Sequence, residues 1–154
     1  MALVSAGLYA QILQIFNQTL DSSSAIAQRI ATAYQIYATA AQGPHGDPVL
    51  LKGIEMQQLK NVLQQIMDHQ IPLAGASQQI GLAVMQFWLV PPVMTAVGGV
   101  CTAIITPPAV AKLSAIQANS YAESAQTLAD ALDLATKTVV VTYPPILGPP
   151  GTLQ

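Results

Sequence analysis

Between residues 2 and 20 the apolar positions Val4, Leu8, Ile12 and Ile15 recur every three or four residues, and Leu3, Leu13, Phe16 and Leu20 widen the stripe. That spacing is one turn of an α-helix, so an amphipathic helix is expected here. Asp21-Ser22-Ser23-Ser24 follows, a cluster of side chains that accept from the free N–H groups of a helix start. Beyond it Ile26, Ile30, Ala33, Tyr34, Tyr37 and Ala41 keep helical register, while Gln28, Arg29, Thr32 and Gln35 take the opposite face. Gly43-Pro44-His45-Gly46-Asp47-Pro48 reads as a turn. Asp47 as a cap and Pro48 at the first helical position predict a third helix over 48–70, since proline's missing N–H is not needed there. Met56, Leu59, Leu63 and Ile66 are its stripe, and Pro72 ends it by disfavouring helical dihedrals in the residue before.

The next stretch is the most unusual. From His69 to Ala111, 43 residues pass without an Asp, Glu, Lys or Arg. Ile80–Ile105 is almost wholly apolar, broken only by Pro91-Pro92 and Gly98-Gly99. Ser77 is placed to cap a helix over 78–90 with Ile80, Val84, Phe87 and Trp88 on one side. A second helix over 93–105 aligns Val93, Val97, Val100, Cys101 and Ile104, giving a proline-broken helical hairpin. Its weak point is the glycine pair, which costs about 1 kcal/mol per glycine relative to alanine in a helix. A bent or partly extended form is the alternative.

Thr106-Pro107-Pro108 opens the longest pattern, a helix over 107–137. Ala111, Ser114, Ala118, Tyr121, Ala125, Leu128, Leu132 and Ala135 form its apolar seam, opposite Asn119, Glu123, Gln126, Asp130, Asp133 and Lys137. At 1.5 Å per residue such a helix is about 46 Å long, more than one small domain needs. Its alanines let a partner helix approach closely, so an intersubunit seam is one reading and a helix on its own core the other. Thr138–Tyr143 is β-branched and reads as a short strand. The proline-rich 144–154 is expected to run extended, near polyproline II, and to lie on a neighbouring subunit.

The fold class that follows is mainly α: a bundle of about five helices including the proline-broken hairpin, a short β-strand and an extended C-terminal arm. Residues 1–137 form the helical domain and 138–154 the arm. Composition changes the picture in one respect. Apolar residues make up 52%, but charged residues only 8% against the roughly 25% of typical domains. With five basic and seven acidic side chains, a net charge of −2 and 17 glutamines, the surface suits permanent contact with protein better than a dilute monomer.

Chemistry is scarce. Arg29, Lys52, Lys60, Lys112 and Lys137 are scattered singly, so no direct nucleic-acid binding is expected. Cys101 is the single cysteine and lies in an apolar run, where a buried inert thiol is expected. His45, Asp47, Asp68 and His69 fall in no ligand spacing; turn chemistry accounts for His45 and the helix dipole for His69. The sequence carries no phosphate loop, dinucleotide fingerprint or nucleophile elbow, and Asp130 and Asp133 lie on a solvent face. No catalytic residue, cofactor or metal is expected.

Two functional readings remain. In the first, the chain is a structural subunit of a large assembly, most plausibly a virion component (capsid, neck or tail) or another extracellular assembly, packed against copies of itself and other structural subunits. The expected interface is Ala111, Ala118, Tyr121, Ala125, Leu128 and Leu132 on the seam, with Val139, Val141, Tyr143, Pro144, Pro145, Ile146 and Leu147 as a C-terminal clasp. Deleting 144–154 would then weaken assembly and leave helical content intact. In the second, the chain is a small integral membrane protein with a kinked or re-entrant helical hairpin at 78–105. A span needs about 20 apolar residues, whereas Pro91-Pro92 splits Ile80–Ile105 into pieces of 11 and 13 without basic flanks. The first reading accounts for more of the features together.

Overall fold

A computed structural model of the chain describes residues 3–18, 22–105 and 121–154. Five helices carry most of these residues, joined by a small antiparallel sheet, so the protein is mainly α-helical. α1 (Ser5–Phe16) buries Leu8, Ile12 and Ile15, the stripe that the spacing marks out. α2 (Ser23–Thr39) begins where the serine cluster places it: Ser22 Oγ accepts from the Ala25 N–H at 3.2 Å. Its buried face is Ala27, Ile30, Ala31, Ala33, Tyr34, Tyr37 and Ala38.

The third helix starts later than expected. Val49–Leu50 is a strand, β1, and α3 runs from Met56 to Met67. Asp47 spends its carboxylate on Tyr143 instead of on a helix start. Gly53 then turns the chain at φ 86°, and Glu55 Oε1 accepts the Lys52 N–H at 2.7 Å. α3 ends on a left-handed residue, His69, at φ 58°. The Gln70 N–H reaches the Gln65 carbonyl at 2.8 Å and the His69 N–H the Ile66 carbonyl at 3.1 Å, which satisfies the last turn of the helix.

α4 (Leu73–Leu89) follows directly after Pro72, so Ser77 lies inside the helix, buried, and does not cap it. Ile80, Ala83, Val84, Phe87 and Trp88 face the core. The second half of the apolar stretch is no helix. β2 (Met94–Thr95) and β3 (Val100–Ile104) form a hairpin in its place, so only the first arm of the expected helical pair is helical. The glycine pair decides this. Gly98 sits at φ 87°, where side chains are strained, and a Cβ on Gly99 would strike Tyr143, Thr95 and Val141. Thr95 Oγ1 fastens the turn by accepting the Gly99 N–H at 2.9 Å.

Of the helix expected over 107–137, Tyr121–Lys137 is α5; residues 107–120 of that expectation lie outside the described residues. α5 packs on α1, α1 on α2, α2 on α3, α3 on α4, and α4 on β3, around one hydrophobic cluster. β4 (Val139–Thr142) matches the expected strand and pairs with β3. The arm does not stay extended away from the chain. After a short 3₁₀ turn at Pro145–Leu147, β5 (Gly151–Thr152) returns to pair with β4, and Leu153 is buried.

The five strands are all antiparallel, in the spatial order β1-β2-β3-β4-β5. Gln42 then joins the two ends. Its backbone exchanges hydrogen bonds with Gln154 at 3.1 and 3.0 Å, and it bridges to Pro48 beside β1. The row of strands therefore closes into a ring, which leaves few unpaired edge groups to recruit another strand.

Candidate assembly surface

The expected interface divides into two groups. Ala125, Leu128 and Leu132 are buried in this chain's own core, as are Val139, Val141 and Tyr143. The helix that carries the described part of the alanine seam packs on α1 of the same molecule. Pro144, Pro145, Ile146 and Leu147 are exposed, Ile146 at 92%. Ala111 and Ala118 lie outside the described residues, as does the Tyr121 side chain.

What holds the exposed loop in place is a polar clip beneath it. Tyr143 Oη donates to Asp47 Oδ1 at 2.7 Å, shielded from solvent. The His45 ring meets the Tyr143 ring edge-on at 4.6 Å between centroids. Gly43 is required beside them, because an added Cβ would collide with the Tyr143 hydroxyl and the Asp47 carboxylate. Burial raises the Asp47 pKa, but hydrogen bonds from Thr95, Tyr143 and its own backbone N–H, with His45 nearby, outweigh it, and the net shift is downward from 3.8. Burial and the Asp47 contact push the Tyr143 hydroxyl up to about 12, so it stays a donor across the physiological range.

Acid should loosen this clip. A carboxyl whose folded pKa lies below its unfolded value adds stability above the unfolded pKa, and that stability is lost as pH falls through the folded pKa. Thermal melts from about pH 5 down to about pH 2 should therefore show a loss of stability that begins just below pH 4. In Asp47→Asn that part of the profile should flatten; an identical profile in the variant would remove Asp47 from the account.

The apolar surface left uncovered lies elsewhere. Ile54 and Val90, at 62% and 69% exposure, stand on either side of a groove of about 420 Å³ that Glu55, Gln57, Gln58, Gln86 and Pro91 complete. Leu50 and Met94, paired in register across β1 and β2, are also uncovered, at 54% and 48% exposure. Sequence reasoning missed these positions because it placed 48–55 and 93–105 in helices. The one signal that could have found them is the turn chemistry of Gly53 and Gly98 inside supposed helices.

Among the described residues no three of His, Cys, Asp and Glu come together as a metal site would require. Cys101 is buried, and burial raises its thiol to about 12, far from a reactive thiolate. Among the described residues no helix is long and apolar enough to cross a membrane. No family model, curated protein or solved structure matches the chain.

Proposed function

We propose that the protein is a structural subunit of a large protein assembly, of which a virion component such as a capsid, neck or tail part is the favoured kind. One observation carries this reading: a chain with only 8% charged residues leaves large apolar side chains exposed, Leu50 and Met94 paired across β1 and β2, and Ile54 and Val90 on one groove. Exposed large apolar side chains grouped in pairs favour an interaction site, and few mixed charges are present to keep a monomer apart. Glutamine-rich surroundings support the same reading, since amides cross an interface without the desolvation cost that charges carry there. The outward loop at 144–147, which directly follows Tyr143 of the clip, is a second contact region.

Purified without detergent, the protein should sediment as a soluble species larger than one chain, growing with concentration. A monomer at every concentration would overturn the proposal. Strict partitioning into detergent or lipid would do so in favour of an integral membrane protein. A small species that enlarges only with an unlike partner would make it an adaptor.

A further inference from the structure

The C-terminal arm closes the sheet through a short segment at the end of an outward loop. Gly151 and Thr152 pair with Val141 and Val140 of β4, the Leu153 N–H reaches the Val139 carbonyl, and Gln154 exchanges both backbone bonds with Gln42. Leu153, only 2% exposed, fills a place in the core. Lifting residues 151–154 away would open a strand edge, an apolar hole and the Gln42 backbone together. The segment shown to fit that gap is the end of this chain itself, and every further copy carries the same segment.

The loop that delivers the arm is built as a hinge. None of residues 144–150 is buried, and four of the seven are prolines, which hold the chain near extended conformations. To bring β5 back onto its own β4 the chain turns at Gly148, at φ 114° and ψ −177°, a region that essentially only glycine occupies. An added Cβ there would also press on the His45 ring, 3.0 Å from Cε1 and 3.1 Å from Nε2. We infer that residues 151–154 are exchanged between two copies of this chain, so that Leu153 and Gln154 of each complete the strand ring of the other. The exchange keeps every contact of the arm and dispenses with the turn at Gly148. Seven extended residues reach about 23–25 Å, enough to cross between two touching molecules. It also covers Ile146, which is 92% exposed in the closed chain, because two hinge loops crossing one gap in opposite directions lie side by side. This inference rests on the assembly reading and names the joint that holds two copies together.

The test uses two full-length variants, Gln42→Cys and Gln154→Cys, unfolded together in urea, refolded as a mixture and treated with a short bis-maleimide cross-linker. Paired residues of antiparallel strands lie about 5.5 Å apart between Cα atoms, within reach of such a reagent. The native Cys101 is buried and takes no part. Neither variant can form a 42–154 link within one chain, so exchange should make that link between unlike chains the main product, assigned by peptide mapping. Chance collisions would give 42–42 and 154–154 links in similar amounts. Gly148→Ala strains the closed turn alone and should strengthen dimerisation about tenfold or more in sedimentation velocity. Ile146→Asp sets two like charges side by side between the hinge loops and should weaken the dimer about tenfold or more, with the monomer's melting temperature unchanged. If Gly148→Ala does not fold, the cysteine variants, which leave the hinge intact, decide alone. An oligomer that forms without a predominant 42–154 link would overturn the exchange and leave the assembly reading standing; a wild-type chain that stays monomeric at every concentration would overturn both.

Discussion

Removing residues 151–154 should destabilise the fold itself by several kcal/mol, in contrast to the selective loss of assembly expected from the sequence. Leu153 is buried, and replacing a buried leucine by alanine costs about 2–5 kcal/mol. The truncation also removes the pairing of β5 with β4, the Leu153 N–H bond to the Val139 carbonyl at 3.1 Å and the double exchange between Gln42 and Gln154. Urea unfolding followed by circular dichroism should show a midpoint well below that of the intact chain. Leu153→Ala alone should recover about half of the effect or more. An unchanged midpoint after truncation would mean that the arm lies on the fold without holding it.

A comparable loss is expected at Trp88, where the core is both large and polar. Three donors run in one direction there. Trp88 Nε1 donates to Tyr34 Oη at 2.9 Å, which in turn lies 2.8 Å from Thr136 Oγ1, and the Thr136 hydroxyl donates to the Leu132 carbonyl at 2.7 Å. Since Thr136 spends its proton on Leu132, Tyr34 must be the donor to Thr136. The chain thus ties α4 to α2 and α2 to α5. Phe87 fills the angle between them, with ring centroids 4.9 Å from Tyr34 and 5.2 Å from Trp88. Trp88→Ala should cost about 3–5 kcal/mol, the usual range for a buried tryptophan. Tyr34→Phe keeps the ring but strands the Trp88 N–H and should cost about 1–3 kcal/mol. In a double-mutant cycle the two losses should fall short of additivity, because the first already breaks the shared bond. Strict additivity would show the hydroxyl relay to be energetically idle.

Burial also explains the behaviour of the Tyr34 phenol, which is pushed up to about 12. It stays protonated, and so remains a donor, across the physiological range. Nothing in the periodicity of residues 26–41 distinguishes this tyrosine from Tyr37, which instead reaches Asp133 on α5.

Residues 5–16, 23–39 and 121–137 were legible because each has one polar and one apolar face, and only a helix satisfies that spacing. The strand at 139–142 was legible from its run of β-branched residues. The stretch 93–105 was not, since a short run apolar on all sides fits a buried helix and a buried strand equally well. There the decision falls to Gly98 and Gly99, whose turn matters only once Tyr143 and Val141 are known to press against it. The alanine seam at 125–135 was expected at an assembly interface, and in the fold Ala125, Leu128, Leu132 and Ala135 are buried within this chain. Its partner could not be read, because a stripe of small residues is the same whether the helix beside it belongs to this chain or another. The exposed apolar residues at 50–54 and 90–94 were hidden for a related reason: they come from two segments, far apart in the sequence, that the β1–β2 pairing helps bring together.

The closed ring of strands also has a consequence for synthesis. Its last joint connects residue 42 to residue 154, so a chain emerging N-terminus first can pack α1 to α4 long before the ring can shut. Pairings between distant parts of a chain form slowly, and unpaired strands exposed meanwhile are prone to join with strands of other molecules. Until residues 151–154 leave the ribosome, the far side of β4 and the backbone of Gln42 stay open. On polysomes, where nascent copies are crowded together, each chain still lacking residues 151–154 is thus a candidate partner for the next, and their prompt arrival guards against entanglement.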